Sequence, residues 1–111
     1  MSKIFSISQH EIIHQIKLSC QIPTVLESII SRKIIAATAQ EMGIRVEPSE
    51  LQQTADQIRL ANRLQKAENT WHWLQKHHLS LDDFEEIAQS NLLASKLAQS
   101  LFANRVEPFF A

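Results

Sequence analysis

The chain has 111 residues, of which 44% are hydrophobic, and it contains one Gly, three Pro and one Cys. One Gly excludes the glycine-rich phosphate and dinucleotide loops, and one Cys excludes an internal disulfide and a Cys-based zinc cluster. The formal net charge of −1, from eleven Lys and Arg against twelve Asp and Glu, argues against a nucleic-acid partner.

The length fits one domain, residues 1–111, with a core of its own. No run of residues approaches the ~20 apolar residues of a membrane span. The first fifteen residues carry one Lys and polar side chains every few positions, unlike a secretory signal. We therefore expect a cytoplasmic protein without a membrane span.

The first two helices are predicted from their capping residues. Ser8, with Glu11 three residues later, is typical of a capping box, and the helix that follows carries an apolar stripe of Ile12, Ile13, Ile16 and Cys20. Cys20 is accordingly expected to be buried. Thr24 and Glu27 form a second such pair after Pro23, and this second helix ends at Gly43.

The second helix is the most apolar one, with Ile and Ala over more than half of its circumference. A helix apolar on most sides is a central one, surrounded by others. Near-absence of Gly and the periodicity elsewhere predict an all-α fold of about five helices packed around it. In the last helix, Leu101 and Phe102 are expected on the inner face with Phe84. The predicted helices span about 9–20, 24–42, 49–67, 70–77 and 81–103.

One short segment matches a metalloprotease motif. His10-Glu11-Ile12-Ile13-His14 has the HExxH spacing, which places two imidazoles one turn apart on a helix. However, His10 and His14 lie more than 100° around the helix from the apolar stripe centred near Ile16. Glu11 already serves as a capping residue, so a solvated helix surface without metal or other cofactor is the favoured interpretation.

The aromatic residues favour a binding surface. Trp71 and Trp73 are two residues apart on a short predicted helix, so they cannot both face the same way. Phe109 and Phe110 follow the last predicted helix, just before Ala111. All four either seal the core or form an apolar surface that binds a peptide or a partner helix.

The order of several segments resembles the N-terminal helical region of SurA/PrsA-type peptidyl-prolyl isomerases, the parvulin-type, PpiC-like foldases. In that family a hydrophobic central helix precedes a Gly-Ile-x-Val link, as Ile29 to Ala39 would here. The resemblance covers about Ile29 to Phe110. The segments that carry it are Gly43-Ile44-Arg45-Val46 with Pro48 and Glu50-Leu51, Trp73-Leu74 with Leu79-Ser80-Leu81-Asp82-Asp83-Phe84, Leu92-Leu93 with Lys96-Leu97-Ala98, and Val106-Glu107 with Phe109-Phe110.

The resemblance implies a bacterial, chaperone-like module that binds polypeptide. The chain departs from the family at His78, where a Gly is common, in having no signal peptide, and in ending where the parvulin catalytic domain would begin. No catalytic residue is therefore carried over, and the chain by itself is not expected to be an enzyme.

The sequence therefore predicts a non-enzymatic module that binds unfolded or extended polypeptide through an apolar groove. The residues expected to contact the peptide are Trp71, Trp73, Phe109 and Phe110. Two alternatives remain: a homodimerisation or interaction module without client binding, and a small zinc hydrolase on His10, Glu11 and His14.

Overall fold

The structure, a computed structural model, describes the backbone of residues 6–110 and the side chains of residues 6–103. The predicted all-α class is confirmed, since the described residues form five helices and no strand. No helix among them is both long and apolar enough to cross a membrane. The helices are α1 (Gln9–Leu18), α2 (Ile22–Glu41), α3 (Pro48–Ala61), α4 (Ala67–Lys76) and α5 (Leu81–Phe110).

Side chains cap the starts of α1, α3 and α5, whereas α4 begins after Lys66 without a side-chain cap. The Ser8 hydroxyl accepts a hydrogen bond from the Glu11 amide at 3.2 Å. Before α5, Ser80 and Asp83 each accept from the backbone amide of the other, at 3.0 and 2.9 Å. The predicted cap at Thr24 is wrong: α2 already begins at Ile22, because a proline is well tolerated in the first helical turn, where its missing N–H has no partner to lose.

Four helices end in the same backbone motif, although the chain has one Gly. After α2, Gly43 adopts φ +69°, and the Ile44 amide donates to the Ala39 carbonyl at 2.9 Å, as in a Schellman motif. Cys20, Arg63 and His78 take the same position after α1, α3 and α4, with φ of 59°, 58° and 55°. Three non-glycine residues therefore adopt a left-handed conformation that favours glycine.

The chain divides after Lys33 into two compact units. In the first unit, none of the residues described is fully buried: Ile16 is half-buried, and Ile12 and Ile13 are exposed. The prediction that Cys20 is buried is wrong, because Cys20 is exposed as the left-handed residue that ends α1.

The second unit holds the core, which lies mainly between α3 and α5. Ala39 is the buried residue of α2. The predicted packing of the other helices around α2 is not confirmed, because the large apolar side chains of α2 between Val25 and Ile34 remain substantially exposed. The buried apolar residues of this unit are Ala39, Leu64, Leu74, Phe84, Ala88 and Leu97.

The last helix is longer than predicted and extends past its neighbour. α5 continues to Phe110 instead of ending near Ala103; residues 104–107 contain no proline or glycine, and Pro108 lies within the last turn. With 30 residues against 14 in α3, α5 is about 45 Å long and α3 about 21 Å. Leu101 and Phe102 are consequently exposed, and their predicted place on the inner face is wrong.

Candidate functional site

One cavity is an open groove along α3 and α5, to which α4 contributes one lining residue, Trp73. We call it the α3–α5 groove; its volume is about 720 Å³, within the range of about 300–1,000 Å³ typical of ligand sites. Its apolar lining consists of Ile58, Ala61, Trp73, Ile87 and Leu92. Its polar lining consists of Glu50, Gln53, Thr54, Gln57, Asn62, Asn91 and Ser95.

Trp73 forms a fixed apolar wall of this groove. The indole stands edge-on to the Phe84 ring, with ring centroids 6.1 Å apart and an interplanar angle of 90°. Phe84 is only 3% exposed, and the Arg59 guanidinium lies 5.1 Å from the centre of its ring. Such edge-to-face and cation–π contacts hold ring orientations, so Trp73 presents a preformed face to a ligand.

Three of the four amide side chains that line the groove are available to bind a ligand. Among the described residues, Gln53, Gln57 and Asn91 make no side-chain hydrogen bond to the protein, and all three are exposed. Asn62 differs, because its Nδ2 donates to the Ile58 carbonyl at 2.9 Å. A carboxamide offers both donors and an acceptor, so the groove can pair with a group that needs both.

The one acidic residue of the groove is neutralised by a partner. Lys96 Nζ lies 2.8 Å from Glu50 Oε1, and the same oxygen accepts from the Glu47 amide at 3.1 Å. These hydrogen bonds, first from Lys96 and then from Glu47, hold the pKa of Glu50 below its usual value. The carboxylate thus stays ionised and paired, and the lining of the groove is close to neutral.

A second cavity, which we call the Trp71 cavity, lies beside α4 and has a volume of about 550 Å³. Its apolar lining consists of Leu64, Ala67, Trp71, Leu74 and Leu81. Trp71 is 55% exposed, unlike the half-buried Trp73. The two indoles therefore line different cavities, and the structure does not bring them together.

The other predicted site residues are placed as follows. The side chains of Phe109 and Phe110 lie outside the described residues. His10, Glu11 and His14 are exposed on α1, and within residues 6–103 no three His, Cys, Asp or Glu side chains form a group that could hold a metal ion.

Sequence reasoning missed the amide residues of the groove. Gln53 and Gln57 are four residues apart in α3, and Asn91 and Ser95 are four apart in α5, so each pair shares a helix face. That spacing is visible in the sequence, but it becomes a site only because α3 and α5 pack against each other.

Comparisons with known proteins do not identify a relative. No family model matches the chain, and neither the curated proteins nor the solved structures gave a significant match. Any assignment of function must therefore be argued from the groove and its residues.

Proposed function

We propose that the chain is a non-catalytic module that binds unfolded or extended polypeptide in the α3–α5 groove. The observation that carries this proposal is the preformed apolar wall of Trp73 within an open groove of about 720 Å³. The near-neutral lining suits clients of varied sequence, because it neither attracts nor repels one sign of charge strongly. The resemblance to the helical region of SurA/PrsA-type foldases supports the same function.

The expected affinity is weak. Burial of apolar surface contributes roughly 25 cal/mol per Å², and much of that is offset by the cost of ordering the client and the groove. A few client side chains on Ile58, Trp73 and Leu92 therefore give binding that is promiscuous and reversible, as a chaperone-like role requires.

Tryptophan fluorescence tests this proposal directly, since the chain has two Trp. In Trp71→Phe, the remaining indole is Trp73, and titration of an unfolded, uncharged apolar peptide should shift its emission. In Trp73→Phe, the remaining indole, Trp71, should respond little, because it lines the other cavity. Absence of any response in Trp71→Phe at millimolar peptide would refute the proposal.

A second candidate function is homodimerisation through α2. Val25, Leu26, Ile29 and Ile30 are 39–54% exposed and lie within one arc of about 140° on the helix. Together with Ile12 and Ile13 of α1, these side chains expose on the order of 500 Å² of accessible surface per copy. A standard protein–protein interface buries about 800 Å² of accessible surface on each partner. A second copy presents the same mainly apolar face, and the exposed Lys33 lies within the same arc, so we expect weak, concentration-dependent pairing.

Light scattering across a wide concentration range tests this second candidate. Ile30→Glu should remove the dimer, because it places a charge in the apolar face. Ser31→Glu is the matched control, since Ser31 lies on the opposite side of α2 and its substitution should leave pairing unchanged. A monomer at all concentrations of the unmodified chain would exclude the dimer.

A further inference from the structure

We infer that the α3–α5 groove recognises the backbone of an extended polypeptide through its side-chain amides. This inference rests on the proposed function and specifies the class of ligand at the same site. Its basis is the set of amide side chains without a protein partner among the described residues, Gln53, Gln57 and Asn91.

A carboxamide matches a peptide group in hydrogen-bonding capacity. Each carries N–H donors and a carbonyl acceptor, so one side chain can donate to a client carbonyl and accept from a client amide. An extended chain has unpaired backbone groups of both kinds. An α-helical client has its own internal i to i−4 hydrogen bonds and offers few free groups along its length.

The spacing of the amides also fits an extended chain. Gln53 and Gln57 stand one turn apart on α3, about 5–6 Å between Cβ atoms. In an extended strand, peptide groups on the same side recur every two residues, about 6.6 Å. Flexible glutamine side chains span this small difference, so consecutive same-side peptide groups can each meet one amide while Asn91 contacts the client from α5.

The apolar wall then determines which client side chains are held. Trp73 and Leu92 lie in the same groove as the amides, and alternate side chains of an extended strand point to opposite sides. One set of client side chains therefore packs on the wall, and the other set faces solvent. The only acidic group of the groove, Glu50, is paired with Lys96, so the client needs no particular charge.

Substitution of an amide by leucine separates backbone pairing from simple apolar contact. Gln57→Leu keeps a side chain of similar length but removes its donors and acceptor. If the amides bind the backbone, this variant should bind an extended apolar peptide about 3- to 10-fold more weakly, as expected for loss of one or two hydrogen bonds. If the groove binds by apolar contact alone, the added leucine should tighten binding, which would overturn the inference.

A chemically modified peptide supplies the second arm of the experiment. The same sequence, N-methylated at alternate residues along one edge, keeps its side chains but loses donors. It should bind the unmodified protein several-fold more weakly than the parent peptide, and Gln57→Leu should weaken it little further. Equal binding of the parent and N-methylated peptides would overturn the inference.

Control variants separate this inference from the proposed function. Gln89→Leu is the matched control, because Gln89 is exposed on α5 and does not line the groove, so it should bind like the unmodified chain. All titrations are carried out in the Trp71→Phe chain, which serves as the unmodified reference for the groove. Thermal unfolding confirms that each variant folds. If the parent peptide binds the unmodified chain but not in an amide-dependent way, only the inference fails; if it does not bind, both fail.

Discussion

Lys96 of α5 donates to Oε1 of Glu50 in the first turn of α3 at 2.8 Å, across 46 residues of sequence. The same ammonium group also donates to the Arg45 carbonyl, in the link between α2 and α3. Glu50 in turn accepts from the Glu47 amide at the start of α3. One ion pair thus connects the long last helix, the α2–α3 link and a helix cap at one end of the groove.

This pair predicts an acid-dependent loss of stability. The unfolded Glu50 carboxyl titrates near 4.5, and hydrogen bonds from Lys96 and Glu47 lower its pKa in the folded chain. A lowered folded pKa means that the stabilisation is complete above about pH 4.5 and is lost as the pH falls through the folded value. Urea unfolding from pH 7 to pH 3 should therefore reveal a free-energy difference between the unmodified chain and Glu50→Gln that shrinks in acid.

The control for this experiment is Glu86→Gln, an exposed residue of α5. Its difference from the unmodified chain should change little over the same pH range. A Glu50→Gln difference that stays constant, or that grows as the pH falls, would contradict the assigned role of the Glu50–Lys96 pair.

The left-handed residue after α4 predicts a stabilising substitution. His78 has φ +55°, a conformation that costs a side-chain-bearing residue roughly 1 kcal/mol or more. His78→Gly should raise the free energy of unfolding by about 0.5–1 kcal/mol, measured by urea denaturation. The gain is smaller than the full strain because glycine also increases the entropy of the unfolded chain.

The converse substitution is Gly43→Ala. Gly43 has φ +69°, and a Cβ at this position would meet no atom within 4 Å, so only backbone strain would act. The free energy of unfolding of this variant should therefore be lower by about 1 kcal/mol.

For the substitution after α4, equal stability of His78→Gly and the unmodified chain would argue against the Schellman geometry at that position.

Two phenylalanines on α5 are expected to differ sharply in their contribution to stability. Phe84 is 3% exposed and Phe102 is 69% exposed. Phe84→Ala should cost about 3–5 kcal/mol, because it leaves a cavity beneath Trp73 and Arg59. Phe102→Ala should change the free energy of unfolding by no more than about 0.5 kcal/mol. Similar losses for the two variants in denaturant unfolding would contradict the placement of the core between α3 and α5.

We expect no specific zinc binding by the HExxH segment, residues 10–14. His10, Glu11 and His14 are exposed, and two imidazoles without a third ligand or a buried surrounding bind zinc only weakly. Metal analysis of untagged protein should find no stoichiometric zinc. Added zinc should shift the unfolding temperature of the unmodified chain and of His14→Ala by the same amount. A shift confined to the unmodified chain would revive the hydrolase alternative.

Local patterns in the sequence predicted the helices better than their packing. Ser8 caps α1 as expected because a cap depends on residues three positions apart. The end of α3 at Ala61 was missed, since its left-handed residue is Arg63 and not a glycine. Apolar periodicity identified α2 as able to be buried, but periodicity does not specify which surface covers a helix.

The candidate site was predictable only in part. Trp73 stood out as an aromatic residue, whereas Gln53, Gln57 and Asn91 are ordinary surface amides in the sequence. The sequence by itself determined the helical class, the capping residues and the absence of a glycine-rich phosphate loop, because these depend on short-range backbone chemistry. The groove arose only from tertiary packing, which brings residues from three helices together through contacts between side chains distant along the chain.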